Sequence, residues 1–332
     1  MGQSNVTLVR GCKVKDTEQY LEKKVNIDLS IVIVNHNTRR LLQQCLQSIY
    51  DTIDGLNFEI FVVDNASSDG SQDMIRTQFP EVKLIANAVG LGFTRAVNMG
   101  LAGGNGNYFL VSHPDIKFLS GTIHQLHAYL STHAQVGIVG GNLTYPDGSY
   151  NPCPIARRSL RRELVDFFST SFRFISKRWP WLQGKLKRAR SSFYWDHQSD
   201  TESDVIWNAC MMFKREVLET VGNFCEEFYI WYSDSDLCYR AQDAGWQLFY
   251  LRDAPVIHYE KQSSDYLDDM EEINYKTTWN PGVEKKVDKD RYTLLKRHYS
   301  PAFLWFRKIL ETASLWRRNI ALTLRRVFVS SR

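Results

Sequence analysis

The six residues Leu29–Val34 constrain this chain more than any others. Four in a row, Ile31 to Val34, are apolar and β-branched. Such an uninterrupted run marks a strand buried on both faces, because a strand with one wet face alternates apolar and polar residues. Two-sided burial requires helices above and below. The residues that follow repeat this demand. Helical spacing of Leu41, Leu42, Cys45, Leu46 and Ile49 predicts a helix from Thr38 to Tyr50, capped by Thr38. Phe58–Val63, Val82–Ile85, Tyr108–Val111 and Val136–Val139 read as further strands. Helical segments separate them, one ending near Gln78 and others at Gly92–Leu101 and Ser120–Thr132. Five alternations with short loops predict an α/β domain: a mostly parallel sheet flanked by helices.

With 332 residues the chain has room for one large domain or two small ones. Its net charge of only +4 argues against a nucleic-acid polyelectrolyte, and no nucleic-acid partner is expected. The charge is unevenly placed. Residues 157–190 carry eleven Arg/Lys against Glu163 and Asp166, and residues 291–332 carry ten against Glu311. Each segment is therefore at +9, which leaves the rest of the chain at −14. An acidic body with two basic segments suggests an anionic surface met at two places. The six cysteines show no CxxC pair and are too sparse for a disulfide scaffold, so reduced thiols in a cytoplasmic compartment are expected. Met1 to Tyr20 has no apolar signal core, and no stretch reaches the ~18 apolar residues needed to span a bilayer. The expected divisions are an arm at 1–28, a main domain at 29–264 with halves 29–116 and 117–264, and an extension at 265–332. Residues 260–290 read as mostly irregular and 302–328 as a last helix.

In parallel α/β sheets ligands sit outside the carboxyl ends of the strands. Asp64–Gly70, after the second strand, is a polar turn that can either cap the next helix or offer a carboxylate to a base or ribose. Asn87 and the run Gly90-Leu91-Gly92-Phe93 follow the third strand. Glycines there allow close backbone approach, but the third glycine of a dinucleotide fingerprint is missing, which excludes a Rossmann cofactor site. Asp115, held by Pro114 beyond the fourth strand, suits a hard Mg2+ or Mn2+ ion bridging to phosphates. His258 is the second candidate ligand. Asp234 and Asp236 open a helix after the aromatic run Phe228–Tyr232. One is expected to serve the helix N-terminus, leaving the other to face the crevice as a general base.

Eight motifs in order carry a resemblance. They are LSIVIVNHNT (29–38), VVDNASSDGS (62–71), GLGF (90–93), HPD (113–115), GIVGGNLTYPDGS (137–149), WNACMMFKREVLETVGNF (207–224), SDSDLCYRAQDAGW (233–246) and VIHYEKQSS (256–264). Together they resemble the family 2 glycosyltransferases, and within them the bacterial rhamnosyltransferases of polysaccharide assembly. The resemblance implies a GT-A fold and inverting sugar transfer from a nucleotide-diphosphate donor, dTDP-rhamnose or a UDP-sugar. It implies a glycan or lipid-linked saccharide as acceptor, and it makes 29–116 the nucleotide-sugar-binding half and 117–264 the acceptor and catalytic half. It places the donor nucleotide at Asn35, Asn37, Asp64, Asn65, Asn87, Gly92 and Phe93, and the metal at Asp115 and His258. It makes Asp234 the catalytic base, Asp236 the acid that helps hold its helix, and Trp207 to Cys210 the acceptor loop. Trp207, Asn208, Ser233 and Asp236 are the acceptor-side candidates. The chain departs from the family pattern at His113, where Asn is usual, at Ser233, where Glu is usual, and at Cys225, where Asp is usual. Gly90 stands where the family usually has Asn.

Two alternatives to transfer fit the residues less well. A sugar nucleotidyltransferase would need a Gly-rich, Lys/Arg-bearing loop after the first strand, and Asn35–Thr38 is not one. A catalytically weakened nucleotide- or membrane-binding scaffold is opposed by Asp115 and Asp234. At 100° per residue, Trp305, Phe306, Ile309, Leu310, Ala313, Trp316, Ile320, Leu324, Val327 and Phe328 share one half of the last helix. Arg307, Lys308, Arg318, Arg325 and Arg326 share the other. That amphipathic pattern suits a peripheral position on an anionic membrane, at the cytoplasmic face of the inner membrane. Packing on the catalytic domain, or pairing two copies in a homodimer, is the alternative.

Overall fold

The computed structural model describes residues 27–171, 180–259, 281–313 and 316. The first half runs β1 (Leu29–Asn35), α1 (Arg39–Thr52), β2 (Phe58–Asn65), α2 (Ser71–Gln78), β3 (Lys83–Asn87), α3 (Phe93–Gly103) and β4 (Tyr108–Ser112). It continues with β5 (Ile116–Phe118), α4 (Thr122–Thr132), β6 (Val136–Thr144), α5 (Leu160–Ser171) and α6 (Pro180–Ser191). Then come β7 (Thr201–Glu202), β8 (Cys210–Lys214), α7 (Arg215–Val221), α8 (Ser233–Asp243), β9 (Gln247–His258) and α9 (Pro281–His298). Residues 301–313 form α10.

The strands make one sheet in the order β3-β2-β1-β4-β8-β6-β9-β5, with β7 beside β9. The chain lays down β1, β2 and β3 outward, then returns to place β4 on the other side of β1. Those four strands are parallel. The crevice between the ends of β1 and β4 is therefore the switch point where such sheets bind ligands. Beyond β4 the expected parallel order gives way to a mixed sheet. After the long excursion through α5 and α6, β8 re-enters antiparallel to both β4 and β6. β9 is parallel to β6, while β5 and β7 run antiparallel to β9.

Burial follows the apolar runs. Ile31, Val32 and Ile33 have no exposed surface, nor do Leu42, Cys45, Leu46 and Ile49 of α1. Burying each large aliphatic side chain contributes roughly 1.5–3 kcal/mol. Close packing of α3 on β1 depends on Gly100, whose missing Cβ would collide with Val32. Thr38 does not cap α1 through its side chain. Its hydroxyl donates instead to Asn35 Oδ1 at 2.6 Å and so ties the helix start to the end of β1.

The second half departs further from the sequence pattern. Residues 151–204 show no period, yet they contain α5 and α6. Leu160, Leu164, Phe168 and Trp181 on these helices are exposed, so the usual buried stripe is missing. Residues 281–290, expected to be irregular, are the first turns of α9. This helix is fastened by Asp290, Leu294, Arg297 and His298, a mixed polar and apolar set that no hydrophobic period reveals. In α10 the side expected to be an exposed cationic face is partly an internal one. Arg307 is buried and donates to Glu163 of α5 at 2.8 Å and to Glu311 at 3.0 Å. The arm at 1–26 and the remaining C-terminal positions, among them Ile320, Leu324 and Phe328, lie outside the described residues.

Candidate active site

His113, Asp115 and His258 meet where the switch-point crevice ends. Register explains the meeting: β5 pairs with β9 so that Ile116 stands opposite His258, and the Tyr259 N–H donates to the Asp115 carbonyl at 2.9 Å. One potential ligand atom from each residue lies within 4.8 Å of the others. His258 Nε2 is 3.5 Å from Asp115 Oδ1, and His113 Nδ1 is 3.9 Å from it. The far side of each ring is held by a carboxamide. His113 Nε2 is 2.9 Å from Asn208 Oδ1, an acceptor, so the ring proton sits on Nε2 and the Nδ1 lone pair faces Asp115. His258 Nδ1 accepts from Asn151 Nδ2 at 2.9 Å, which puts the ring proton on Nε2 toward Asp115; turning the Asn151 carboxamide over would free the Nε2 lone pair for a metal. Burial pushes the His113 pKa down, against the pull of Asp115, which favours the neutral ligand form. A carboxylate and two oriented imidazoles suit a divalent metal ion. His113, noted in the sequence only as a departure from Asn, thus belongs to this cluster.

Asp234 lies in the first turn of α8, just after Tyr232, which adopts the left-handed conformation at φ 66°. Neither acid is the N-cap; that position is Tyr232 itself. Burial raises the Asp234 pKa, although N–H groups of Ser235 and Asn208 oppose the rise. A carboxylate with a raised pKa is the better proton acceptor. Asn208 therefore touches both centres, His113 through its side chain and Asp234 through its backbone.

The acceptor role expected of Asp236 and Ser233 is corrected by burial, since neither has any exposed surface. Asp236 accepts from Arg240 at 2.9 Å, Arg297 at 3.0 Å and His298 at 2.7 Å. Burial alone would raise its pKa, but these three partners hold it down to about 2. Asp236 braces α8 from behind, joining it to α9.

The donor-side residues gather at the ends of β1, β2 and β3. Asn35 stands opposite Asp64, and Asn65 opposite Asn87. Asp64 accepts from Asn35 Nδ2 at 2.8 Å, from Ser67 Oγ at 2.5 Å and from Gln72 Nε2 at 2.7 Å. Asn35 and Asp64 are wholly buried, so in this arrangement they shape the loop and do not present a free carboxylate to a base. Asn37, at φ 51°, accepts the Ser68 N–H at 2.8 Å, and Asn65 Oδ1 accepts the Leu91 N–H at 2.8 Å. Gly92 has φ +83°, and a Cβ there would stand 2.8 Å from Tyr229. That closeness lets the Phe93 N–H donate to the Tyr229 carbonyl at 2.8 Å.

A cavity of about 510 Å³ joins these parts. Phe93, His113, Asp115, Trp207, Asn208, Asp234 and His258 all line it. The strand-end group from Asn35 to Asn87 does not. Arg158 and Arg162 also line the cavity and come from the basic segment, which the sequence reading expected as a whole to meet an anionic surface; Leu294, from α9, was not foreseen. The clustering of cations in 157–190 was the available signal for the two arginines.

Comparisons with known proteins agree with this architecture. The family model "Glycosyl transferase family 2" matches residues 30–222, more than half of the chain. An N-acetylglucosaminyl-diphospho-decaprenol L-rhamnosyltransferase of Mycobacterium tuberculosis is 27% identical over 62% of this chain and 67% of its own. The low-salt glycan biosynthesis hexosyltransferase Agl10 of Haloferax volcanii is 24% identical over 86% of this chain and 83% of its own. The crystal structure of S. aureus TarS 1-349 in complex with UDP superposes with TM-score 0.50 at 13% identity, covering 83% of this chain and 68% of that one. The chain spans only 60–61% of two further solved chains that it matches. The fold is GT-A, and the extent of the family match places the chain in glycosyltransferase family 2.

Proposed function

We propose that this chain moves a sugar, rhamnose being the best single choice, from a nucleotide-diphosphate donor to a hydroxyl of a lipid-linked saccharide, with inversion. The observation that carries the reading is one cavity holding both a carboxylate of raised pKa, Asp234, and a metal-fit cluster, His113, Asp115 and His258. The donor nucleotide would lie along the strand ends from Asn35 to Asn87, with Gly92 and Phe93 leading into the cavity. Trp207 and Trp231 offer flat apolar walls to an acceptor sugar, and Arg158 and Arg162 offer positive charge to an acceptor diphosphate. Asp234 would take the proton of the attacking hydroxyl. His113, Asp115 and His258 would hold a divalent ion, which would supply positive charge to offset that of the leaving nucleoside diphosphate. The two imidazoles of the cluster favour Mn2+ over Mg2+. The mycobacterial relative's name supports both the sugar and a lipid-diphosphate acceptor.

The test is transfer itself. The full chain, with Mn2+ and a synthetic lipid-diphosphate saccharide, is expected to consume one donor from a panel of dTDP-, UDP- and GDP-sugars. NMR of the product should show an inverted anomeric centre. Formation of a nucleoside triphosphate from donor and pyrophosphate, or no donor consumption at all, would defeat the reading.

We further propose that the protein works on an anionic membrane at its cytoplasmic side. Among the described residues no helix is long and apolar enough to cross a membrane. Trp305, Ile309 and Trp316 are nonetheless exposed, and their spacing places them within about 40° of one another on the helix. α5, tied to α10 by Arg307 and Glu163, exposes Leu160, Leu164 and Phe168, also along one stripe. Lys308 and the cations of α6 supply the positive charge that such a surface attracts. Replacing Trp305, Ile309 and Trp316 together by serine should release the protein from phosphatidylglycerol-containing vesicles in a sedimentation assay. Undiminished binding would leave these residues to a protein partner.

A further inference from the structure

The C-terminal helix α9 lies outside the matched family region, which ends at residue 222. Its contacts nevertheless converge on the catalytic loop. Asp290, with no exposed surface, accepts N–H groups from three consecutive residues: Tyr229 at 3.1 Å, Ile230 at 3.0 Å and Trp231 at 3.1 Å. Consecutive N–H groups pointing to one spot form an anion nest. Here the anion is a side chain from a helix some sixty residues further along the chain. One turn before Asp290, Lys286 Nζ sits 4.0 Å from the centre of the Tyr229 ring. One turn after it, Leu294 enters the cavity wall, and a further turn brings Arg297 and His298 to Asp236. Positions 286, 290, 294 and 297–298 fall along one stripe of the helix, so a single face of α9 grips both the loop before α8 and α8 itself.

The loop is held equally firmly on its other side. The Phe93 N–H donates to the Tyr229 carbonyl at 2.8 Å, and Thr94 Oγ1 donates to the Phe228 carbonyl at 2.7 Å. The segment 228–231 is thus strung between the donor-side helix α3 and α9. It then passes through left-handed Tyr232 directly into the turn that carries Asp234. Ile230, Trp231 and Tyr232 form part of the cavity wall. Without the Asp290 carboxylate, three buried or half-buried N–H groups would lose their acceptor, and such a loop would shift to find other partners.

We propose that Asp290 is a positioning residue for the acceptor side of the reaction. It fixes the loop that shapes the acceptor wall and sets the start of α8, and hence the place of the Asp234 carboxylate. This rests on the transferase reading of the same cavity. It predicts a defect weighted to the acceptor side, because Asp290 accepts from the loop amides and from none of Asn35, Asp64, Asn65 or Asn87, while the link to Phe93 runs through the Tyr229 carbonyl and does not need Asp290.

The experiment compares wild type, Asp290→Asn and Asp290→Ala in the full chain. Three readouts are taken: nucleotide diphosphate affinity with Mn2+ by calorimetry, kcat and acceptor KM for transfer, and amide hydrogen exchange of Tyr229–Trp231. Asp290→Ala is expected to lower acceptor kcat/KM by roughly 10–100-fold, the scale of an ångström-sized misplacement. Nucleotide affinity should stay within about twofold, and exchange in 229–231 should rise at least tenfold, the direct sign of freed amides. Asp290→Asn keeps one acceptor oxygen and the side-chain volume, so it should fall between the two. Should the alanine variant not fold, the asparagine variant decides the matter on the same readouts. The proposal is overturned if exchange in 229–231 and acceptor kinetics match wild type, or if nucleotide affinity and transfer fall together in the folded asparagine variant. An inactive wild type would count against the transferase reading alone, since the exchange readout needs no substrate.

Discussion

Asp234→Asn is expected to lower sugar transfer by roughly 10²–10⁴-fold, the usual contribution of a general base. Nucleotide affinity should not change, because the variant keeps the shape of the side chain and leaves the strand ends untouched. The pH dependence gives a second signature. Burial raises the Asp234 pKa, so the group stays protonated to a higher pH than an ordinary aspartate. Only the ionised form can accept a proton. Wild-type activity should therefore fall as pH drops through that raised value, with a midpoint above the ordinary ~3.9 of aspartate. The asparagine variant should lose this limb. The stability consequence has the sign opposite to that of a salt-bridged acid. A carboxyl with a raised folded pKa favours folding fully only below its unfolded pKa, and that contribution is lost as pH rises through the folded value. At neutral pH the crowded charge is a burden, so Asp234→Asn should melt at the wild-type temperature or above it. A variant that transfers at wild-type rate, or one that melts far below wild type, would remove Asp234 from the role of base.

What could be read in the sequence depended on whether burial and chemistry leave a pattern. Strands β1, β2 and β4 were legible because two-sided burial demands apolar runs, and the helices between them because one face must be apolar; the edge strand β3, with no buried residue, showed only as a short apolar stretch before a turn. Asp115 and Asp234 stood out by position, one beyond a strand end and the other opening a helix. His113 did not, because a histidine in place of an asparagine says nothing until register brings β5 beside β9 and delivers His258. Asp236 and Asp234 look alike in the motif. The family resemblance told them apart without a physical reason; Arg297 and His298 from α9 supply one for Asp236 as the brace. Asp290 was hidden for a related reason. It lies in a charged stretch where every residue looks solvated, and its partners are backbone N–H groups that no side-chain pattern records. Helical phase put Arg307 on the exposed cationic face, yet Glu163 draws it inward across the fold. Long-range polar pairs of this kind determine much of the second half of the chain, where the mixed sheet also departs from simple alternation.

Loss of the metal-fit cluster should have an effect of similar size to loss of the base. Asp115 is 1% exposed and is the only carboxylate of the cluster among the described residues. A divalent ion there needs that negative charge, because two neutral imidazoles alone leave the ion's charge uncompensated in a buried place. Asp115→Asn preserves volume and removes the charge, so it separates electrostatics from packing. Saturable Mn2+ binding, followed by electron paramagnetic resonance of the free ion, should be lost in this variant. The affinity for a nucleoside diphosphate in Mn2+ should fall to the value that wild type shows in EDTA. Transfer should drop by roughly 10³-fold, which is what several kcal/mol of lost charge stabilisation amounts to at about 1.4 kcal/mol per decade. Folding should survive, because removing a charge from a buried site relieves desolvation even as it removes attraction to the imidazoles. Asp115→Ala should agree in metal binding but melt lower, since it also opens space between two rings. The reading fails if Asp115→Asn keeps wild-type Mn2+ affinity, or if wild type itself binds nucleotide equally well in Mn2+ and in EDTA. In that second case His113, Asp115 and His258 would be a buried polar cluster of the fold, and the negative leaving group would have to be met by the cations of the cavity, Arg158 and Arg162.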